Sequence, residues 1–133
     1  MGEQTGVTIL LCEDDEVIRE LYRKILELRG YRIIVAVDGN DAIEKFILHK
    51  DEIQLLVSDV IMPNKNGHQA YDEIRKVRNG IKVIFNSGFN TDAITRLRDE
   101  GYHYLQKPYA PQLLLDKIRE VLAEDHTLWA NQC

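Results

Sequence analysis

Five short apolar runs recur along the chain at residues 7–12, 32–37, 53–58, 82–86 and 103–106, each separated from the next by a segment with helical spacing. The runs are short and β-branched or aromatic in character, so they read as strands. After the first run, Ile18, Leu21, Tyr22, Ile25 and Leu28 follow the i, i+3, i+4, i+7 pattern that lines one face of a helix with apolar side chains. Ala70, Tyr71, Ile74 and Val77 repeat the pattern after the third run, and Leu114, Ile118, Val121 and Leu122 after the fifth. The set Ala42, Ile43, Phe46 and Ile47 is shorter, and 91–98 is the weakest helix, with only Ala93, Ile94 and Leu97 to bury. Gly30 stops the first helix, while Asp38-Gly39-Asn40-Asp41 and Pro63-Asn64-Lys65-Asn66-Gly67 are turns.

Strict alternation of strand and helix, with near-continuous apolar strands, predicts an α/β fold whose parallel sheet is covered on both faces. Right-handed crossovers and five strands favour the flavodoxin-like doubly wound order 2-1-3-4-5. A length of 133 residues fits one such domain, predicted over 1–123, with 124–133 as a polar tail or cut linker in which Leu128 and Trp129 are the exceptions. A net charge of −5 and a pI near 5.3 argue against nucleic-acid binding, which needs clustered Lys and Arg. No apolar run reaches the ~20 residues of a membrane span. The opening residues carry no secretory signal, and two cysteines, Cys12 and Cys133, make neither a disulfide framework nor a metal site. The compartment expected is the cytosol.

In open α/β sheets the site forms outside the carboxyl ends of the strands, where the strand order reverses. Here that point lies between strands one and three. Glu13-Asp14-Asp15-Glu16 follows strand one, Asp59 follows strand three, Ser87-Gly88 follows strand four and Lys107-Pro108 follows strand five. Asp38 ends strand two on the far side of the switch point and reads as a turn residue. Asp15 reads as a helix N-cap and Cys12 as a small core residue.

Carboxylates gathered in one place repel unless a cation joins them. A hard divalent ion takes oxygen ligands, and Mg²⁺ commonly uses one or two carboxylates, waters and a phosphate oxygen. Asp14 and Asp59 would bind it directly, with the backbone carbonyl of Ile61, and Glu13 would reach it through water. Asp59 can then act as a nucleophile toward phosphorus, with Lys107 and the Ser87 hydroxyl taking phosphoryl oxygens. An aspartate is ordinarily ionised at neutral pH, so no general base is expected.

The elements Ile9-Leu10-Leu11-Cys12-Glu13-Asp14-Asp15, Ser58-Asp59-Val60-Ile61-Met62-Pro63, Asn86-Ser87-Gly88 and Leu105-Gln106-Lys107-Pro108-Tyr109, each past its own strand, resemble the receiver domain of two-component response regulators. The likeness covers residues 7 to about 123. It implies that Asp59 accepts a phosphoryl group from a phosphohistidine on a sensor histidine kinase or histidine phosphotransfer protein. It further implies that Glu13 and Asp14 are the acidic metal pair, that Lys107 binds phosphate and that Ser87 is the switch hydroxyl. Tyr104 matches the aromatic switch position, which reshapes the face of the fourth helix, fifth strand and last helix. A phosphorylation-dependent homodimer is among the implied assemblies. The family also implies a cis Lys107-Pro108 bond and no turnover of outside substrates, only self-phosphorylation and self-dephosphorylation.

Several positions depart from the commonest pattern. Glu13 and Ser87 stand where aspartate and threonine are usual, and Asn66 precedes Gly67 where aspartate is frequent. Ile61 is apolar where a polar side chain could position water, which predicts slow hydrolysis of the phosphorylated form. Gly88-Phe89 and Leu105-Gln106-Lys107-Pro108 are similar to receivers attached to hybrid sensor kinases. A degenerate receiver, binding partners constitutively, would lack the acceptor, a metal acid or the lysine, and all are present. A small-phosphoester phosphatase would need a leaving-group acid, and a flavin-binding protein a hydroxyl-rich first loop; neither is found. His49, His68, His103 and His126 have no ligand spacing and read as surface or edge residues. Too few residues follow the last helix for an output domain, so a stand-alone regulator or a piece of a longer protein is expected.

Overall fold

The computed structural model describes residues 4–88 and 91–132. The strands are β1 (Thr8–Cys12), β2 (Arg32–Ala36), β3 (Ile53–Asp59), β4 (Lys82–Ser87) and β5 (His103–Gln106). The helices are α1 (Glu16–Leu28), α2 (Gly39–Leu48), α3 (Gly67–Val77), α4 (Thr91–Asp99) and α5 (Pro111–Gln132). All strands pair in parallel in the order β2-β1-β3-β4-β5, as the alternation predicts. The last helix continues to Gln132, past residue 123 where the sequence pattern weakens. The side chains of Ala93, His126, Leu128 and Trp129, and all of Phe89, lie outside the described residues.

Alternation along each strand sends side chains to two separate cores. Leu10, Cys12, Leu56 and Phe85 pack with Phe46, Tyr71, Ile74 and Leu97 from α2, α3 and α4. Ile9, Leu11, Val57, Ile84 and Leu105 pack with Tyr22, Leu26, Leu114 and Ile118 from α1 and α5. The α1 stripe is narrower than its sequence pattern: Tyr22 and Leu26 are buried, Ile18 and Ile25 pack beside them, and Leu21 and Leu28 are exposed. A helix lying on a sheet covers only one stripe of its surface, and these two residues fall outside it. Val77 and Ile47 are likewise exposed at the rims of α3 and α2.

Side chains fix three helix starts. Asp15 caps α1 by accepting from the Ile18 amide at 3.0 Å, and Asp38 caps α2 by accepting from Asp41 at 2.8 Å. Asn66 and Gln69 form a reciprocal capping box on α3. The register then sets the strand ends level: Cys12 lies opposite Ser58, Asp59 opposite Asn86, and Ser87 opposite Gln106. Whatever follows these residues meets at one edge of the sheet.

Candidate functional site

Five residues at or just past these strand ends converge. Carboxylate oxygens of Glu13, Asp14 and Asp59 lie within 4.8 Å of one another. Asp59 is 6% exposed and Glu13 only 2%, whereas Asp14 stands open to solvent. Lys107 reaches in from beyond β5, its ammonium 2.6 Å from Glu13 Oε1 and 2.8 Å from Asp59 Oδ1. The contact with Asp59 is an ion pair without the alignment of a hydrogen bond. The Ser87 hydroxyl, on a residue 3% exposed, has no hydrogen-bond partner.

The surrounding chain holds these groups in place. The Lys107 amide donates to the Ser87 carbonyl at 2.7 Å, and the Lys107-Pro108 bond is cis, as the resemblance implies. Arg19 of α1 donates to the carbonyl of Glu13 at 2.9 Å and, more weakly, to that of Asp14 at 3.4 Å. Glu13 Oε2 accepts from the Asp15 amide at 3.1 Å. Beyond β3, the Val60 amide donates to the Asn86 carbonyl at 2.9 Å and the Gly67 amide to Val60 at 2.7 Å. Gly67 has no alternative: a methyl group there would overlap the Asp59 carbonyl oxygen. Asp38 does more than end β2. While one of its oxygens caps α2, the other accepts from Asn64 at 2.8 Å and ties down the loop that carries Ile61. Asn64 itself sits in the left-handed region at φ 69°.

Burial, and then the neighbouring Glu13 carboxylate, push the Asp59 carboxyl up to about 8 despite Lys107. Burial also acts to raise Glu13, but bonds from Asp59, Lys107 and the Asp15 amide outweigh it and hold Glu13 below the usual carboxylate range. Burial works against the Lys107 charge, yet pairing with Asp59 and Glu13 raises its pKa. Without a cation, burial and the Glu13 charge therefore favour the protonated form of Asp59. The expectation of an ionised nucleophile applies to the site with its cation in place; without one, two carboxylates sharing a single ammonium in a dry crevice disfavour the second charge. A divalent cation fits this donor set, since all three residues offer hard oxygen ligands and the crowded charge is what a cation relieves.

Ile61 is 62% exposed at the rim. Tyr104, half-buried, lies opposite Phe85 and packs against the α2–α4 core. Cys12 is a core residue, its thiol pushed up to about 12 chiefly by burial. His68 differs from a plain surface residue: its ring stacks on Phe85 and meets Tyr102 edge-on. The Arg19, Asp38–Asn64 and Tyr109–Asn86 contacts escape a sequence reading, because nothing in local spacing marks them.

The family model for the response regulator receiver domain matches residues 9–119. The chain belongs to that family. The receiver is 38% identical over 119 residues to the uncharacterized transcriptional regulatory protein YbdJ of Bacillus subtilis, a match covering 88% of this chain and 51% of that protein. It is 35% identical over 119 residues to the sensor kinase CckA of Brucella abortus, covering 88% of this chain and 13% of the kinase. The chain thus spans about half of one relative and a small part of the other. Among solved structures, a CheY-like receiver domain protein from Methanospirillum hungatei superposes with a TM-score of 0.80 at 28% identity, covering 91% of this chain and 97% of that one. The receiver is a phosphoreceiver of two-component signalling. No helix among the described residues is long and apolar enough to cross a membrane.

Proposed function

We propose that Asp59 is the phosphoacceptor, in a site completed by Mg²⁺ on Asp14, Asp59 and the Ile61 carbonyl, with Glu13 acting through water. The observation that carries this reading is the buried Asp59 carboxylate, in contact with Lys107 and within oxygen-cluster range of Glu13 and Asp14. Mg²⁺, when bound, would neutralise charge on the phosphoryl oxygens. Asp59, unprotonated, attacks the phosphorus of a phosphohistidine on a sensor kinase or phosphotransfer protein. A P–O bond forms as the P–N bond breaks, and the electron pair leaves on the imidazole nitrogen. Lys107 turns from its carboxylate partners to one phosphoryl oxygen, and the unpartnered Ser87 hydroxyl donates to another.

Ser87 drawn inward leaves space for Tyr104, and the α4-β5-α5 face changes shape, available to a downstream protein or a second copy. Val17 and Leu21, exposed one turn apart on α1 beside the acidic loop, offer the phosphodonor an apolar foothold. The receiver unit is 1–123, with 124–133 following it, and it works in the cytoplasm without turning over outside substrates. The test is intact-mass analysis after acetyl phosphate, with and without Mg²⁺, beside Asp59→Asn. One phosphoryl group that needs both Mg²⁺ and Asp59 is expected. No gain in mass, and no beryllofluoride adduct, would turn the reading toward a constitutive binding module.

A further inference from the structure

Asn86 is a buried amide, 2% exposed, at the carboxyl end of the central strand β4. Alternation turns its side chain away from Phe85 and onto the face of Ile84, the α1 and α5 side. A polar group in an apolar layer needs a partner. Asn86 Oδ1 accepts from the Tyr109 hydroxyl at 2.9 Å. The Tyr109 ring in turn stacks on Tyr22 of α1, centroids 5.8 Å apart and planes 15° from parallel. Burial keeps this phenol protonated, so it remains a donor.

These contacts bracket Lys107. On its amino side, the backbone amide of Lys107 is held by Ser87 at 2.7 Å. On its carboxyl side, Pro108 has no N–H to give, and Tyr109 is the next residue able to hold the segment. Its hydroxyl reaches the residue of β4 immediately before Ser87. Two successive residues of one strand therefore grip both ends of the Lys107-Pro108-Tyr109 tripeptide. We infer that Tyr109 is a positioning residue for phosphoryl transfer, which through Asn86 and Tyr22 fixes the backbone from which Lys107 reaches Asp59.

The inference rests on Asp59 being the acceptor, and the experiment separates the two. Phosphorylation by acetyl phosphate is followed by intact mass for the wild type, Tyr109→Phe, Asn86→Leu and the double variant, with Mg²⁺ affinity from calorimetry and folding from thermal melts. Tyr109→Phe keeps the ring stack and removes only the donor. It is expected to slow the rate at saturating Mg²⁺ about threefold to tenfold, since small misplacements of a reacting group are costly, with Mg²⁺ affinity unchanged. Asn86→Leu is expected to match it, and the double variant to be no slower than either, because both remove one bond. A wild-type rate in Tyr109→Phe overturns the inference while leaving the acceptor reading intact. So does a parallel loss of Mg²⁺ affinity, the mark of a slackened site, or single effects that multiply in the double variant. A wild type that gains no phosphoryl group overturns both readings.

Discussion

The ammonium of Lys107 stands 2.8 Å from Asp59 Oδ1 and closer still to Glu13, so a single cation from beyond β5 touches the acidic groups at the ends of two other strands. The lysine occupies the charge balance that a divalent ion would otherwise supply. On the proposed reading, a bound Mg²⁺ would take over that balance and free the lysine for a phosphoryl oxygen, and the expected behaviour of the site follows from that exchange.

Replacing Asp59 by Asn removes the proposed nucleophile and one proposed anionic metal ligand together. No phosphoryl group should be gained from acetyl phosphate, and calorimetry should show Mg²⁺ affinity lowered about tenfold or more, as expected for loss of a charged ligand oxygen.

The raised Asp59 pKa gives the cation-free protein a definite pH dependence. The folded state keeps a proton up to about pH 8 that the unfolded chain, near the ordinary 3.8, has already lost. Stability from this group is full below the unfolded value and is lost as pH rises through about 8. Asp59→Asn should flatten that decline and be more stable than wild type at pH 8 by about 1–2 kcal/mol. Chemical denaturation in EDTA across the pH range would check this; an unchanged slope would refute it.

Ser87→Ala should separate function from stability. The hydroxyl is buried and unpartnered, so removing it should leave the unmodified fold as stable or more stable by about 0.5–1 kcal/mol. The same variant should weaken the response of the α4-β5-α5 face to beryllofluoride, read from amide chemical shifts there.

Ile61 presents an exposed apolar side chain at the mouth of the site, with no group to orient water. The phosphorylated form should persist for minutes or longer in Mg²⁺, and Ile61→Asn should shorten its lifetime several-fold, on the scale of one positioned polar group. Decay of the wild-type phosphoform within seconds would contradict the reading.

Gly67→Ala should disturb the acceptor from a distance. The added methyl meets the Asp59 carbonyl, and either α3 or the end of β3 must shift, at a cost of about 1–3 kcal/mol. A lower melting temperature and a slower phosphorylation rate should appear together.

The sheet order and the residues past each strand were legible in the sequence because strand ends in a parallel sheet carry their followers to one edge. The cap role of Asp15 was equally local, whereas Asn66 reads in the sequence as a turn residue and proves to cap α3 as well. The raised pKa of Asp59 was not legible there, since it depends on the burial of its carboxyl and then on Glu13 beside it. Asp38 looked like a turn residue, and it is one, but its bond to Asn64 comes from the β3–α3 loop folding back over the start of α2. The exposure of Leu21 and Leu28 likewise reflects the angle at which α1 lies on the sheet, which heptad-like spacing does not fix. His68 reads as a scattered histidine until α3 sets it against Phe85 and Tyr102.

The crevice draws Glu13, Asp59, Ser87 and Lys107 from the carboxyl ends of four different strands. No contiguous peptide contains it. A protease cut between β4 and β5 that let the pieces part would leave Asp59 on one fragment and Lys107 on the other, both inert. Signalling competence is then lost as cooperatively as the fold itself, and phosphoryl uptake can serve as an assay of intact tertiary structure.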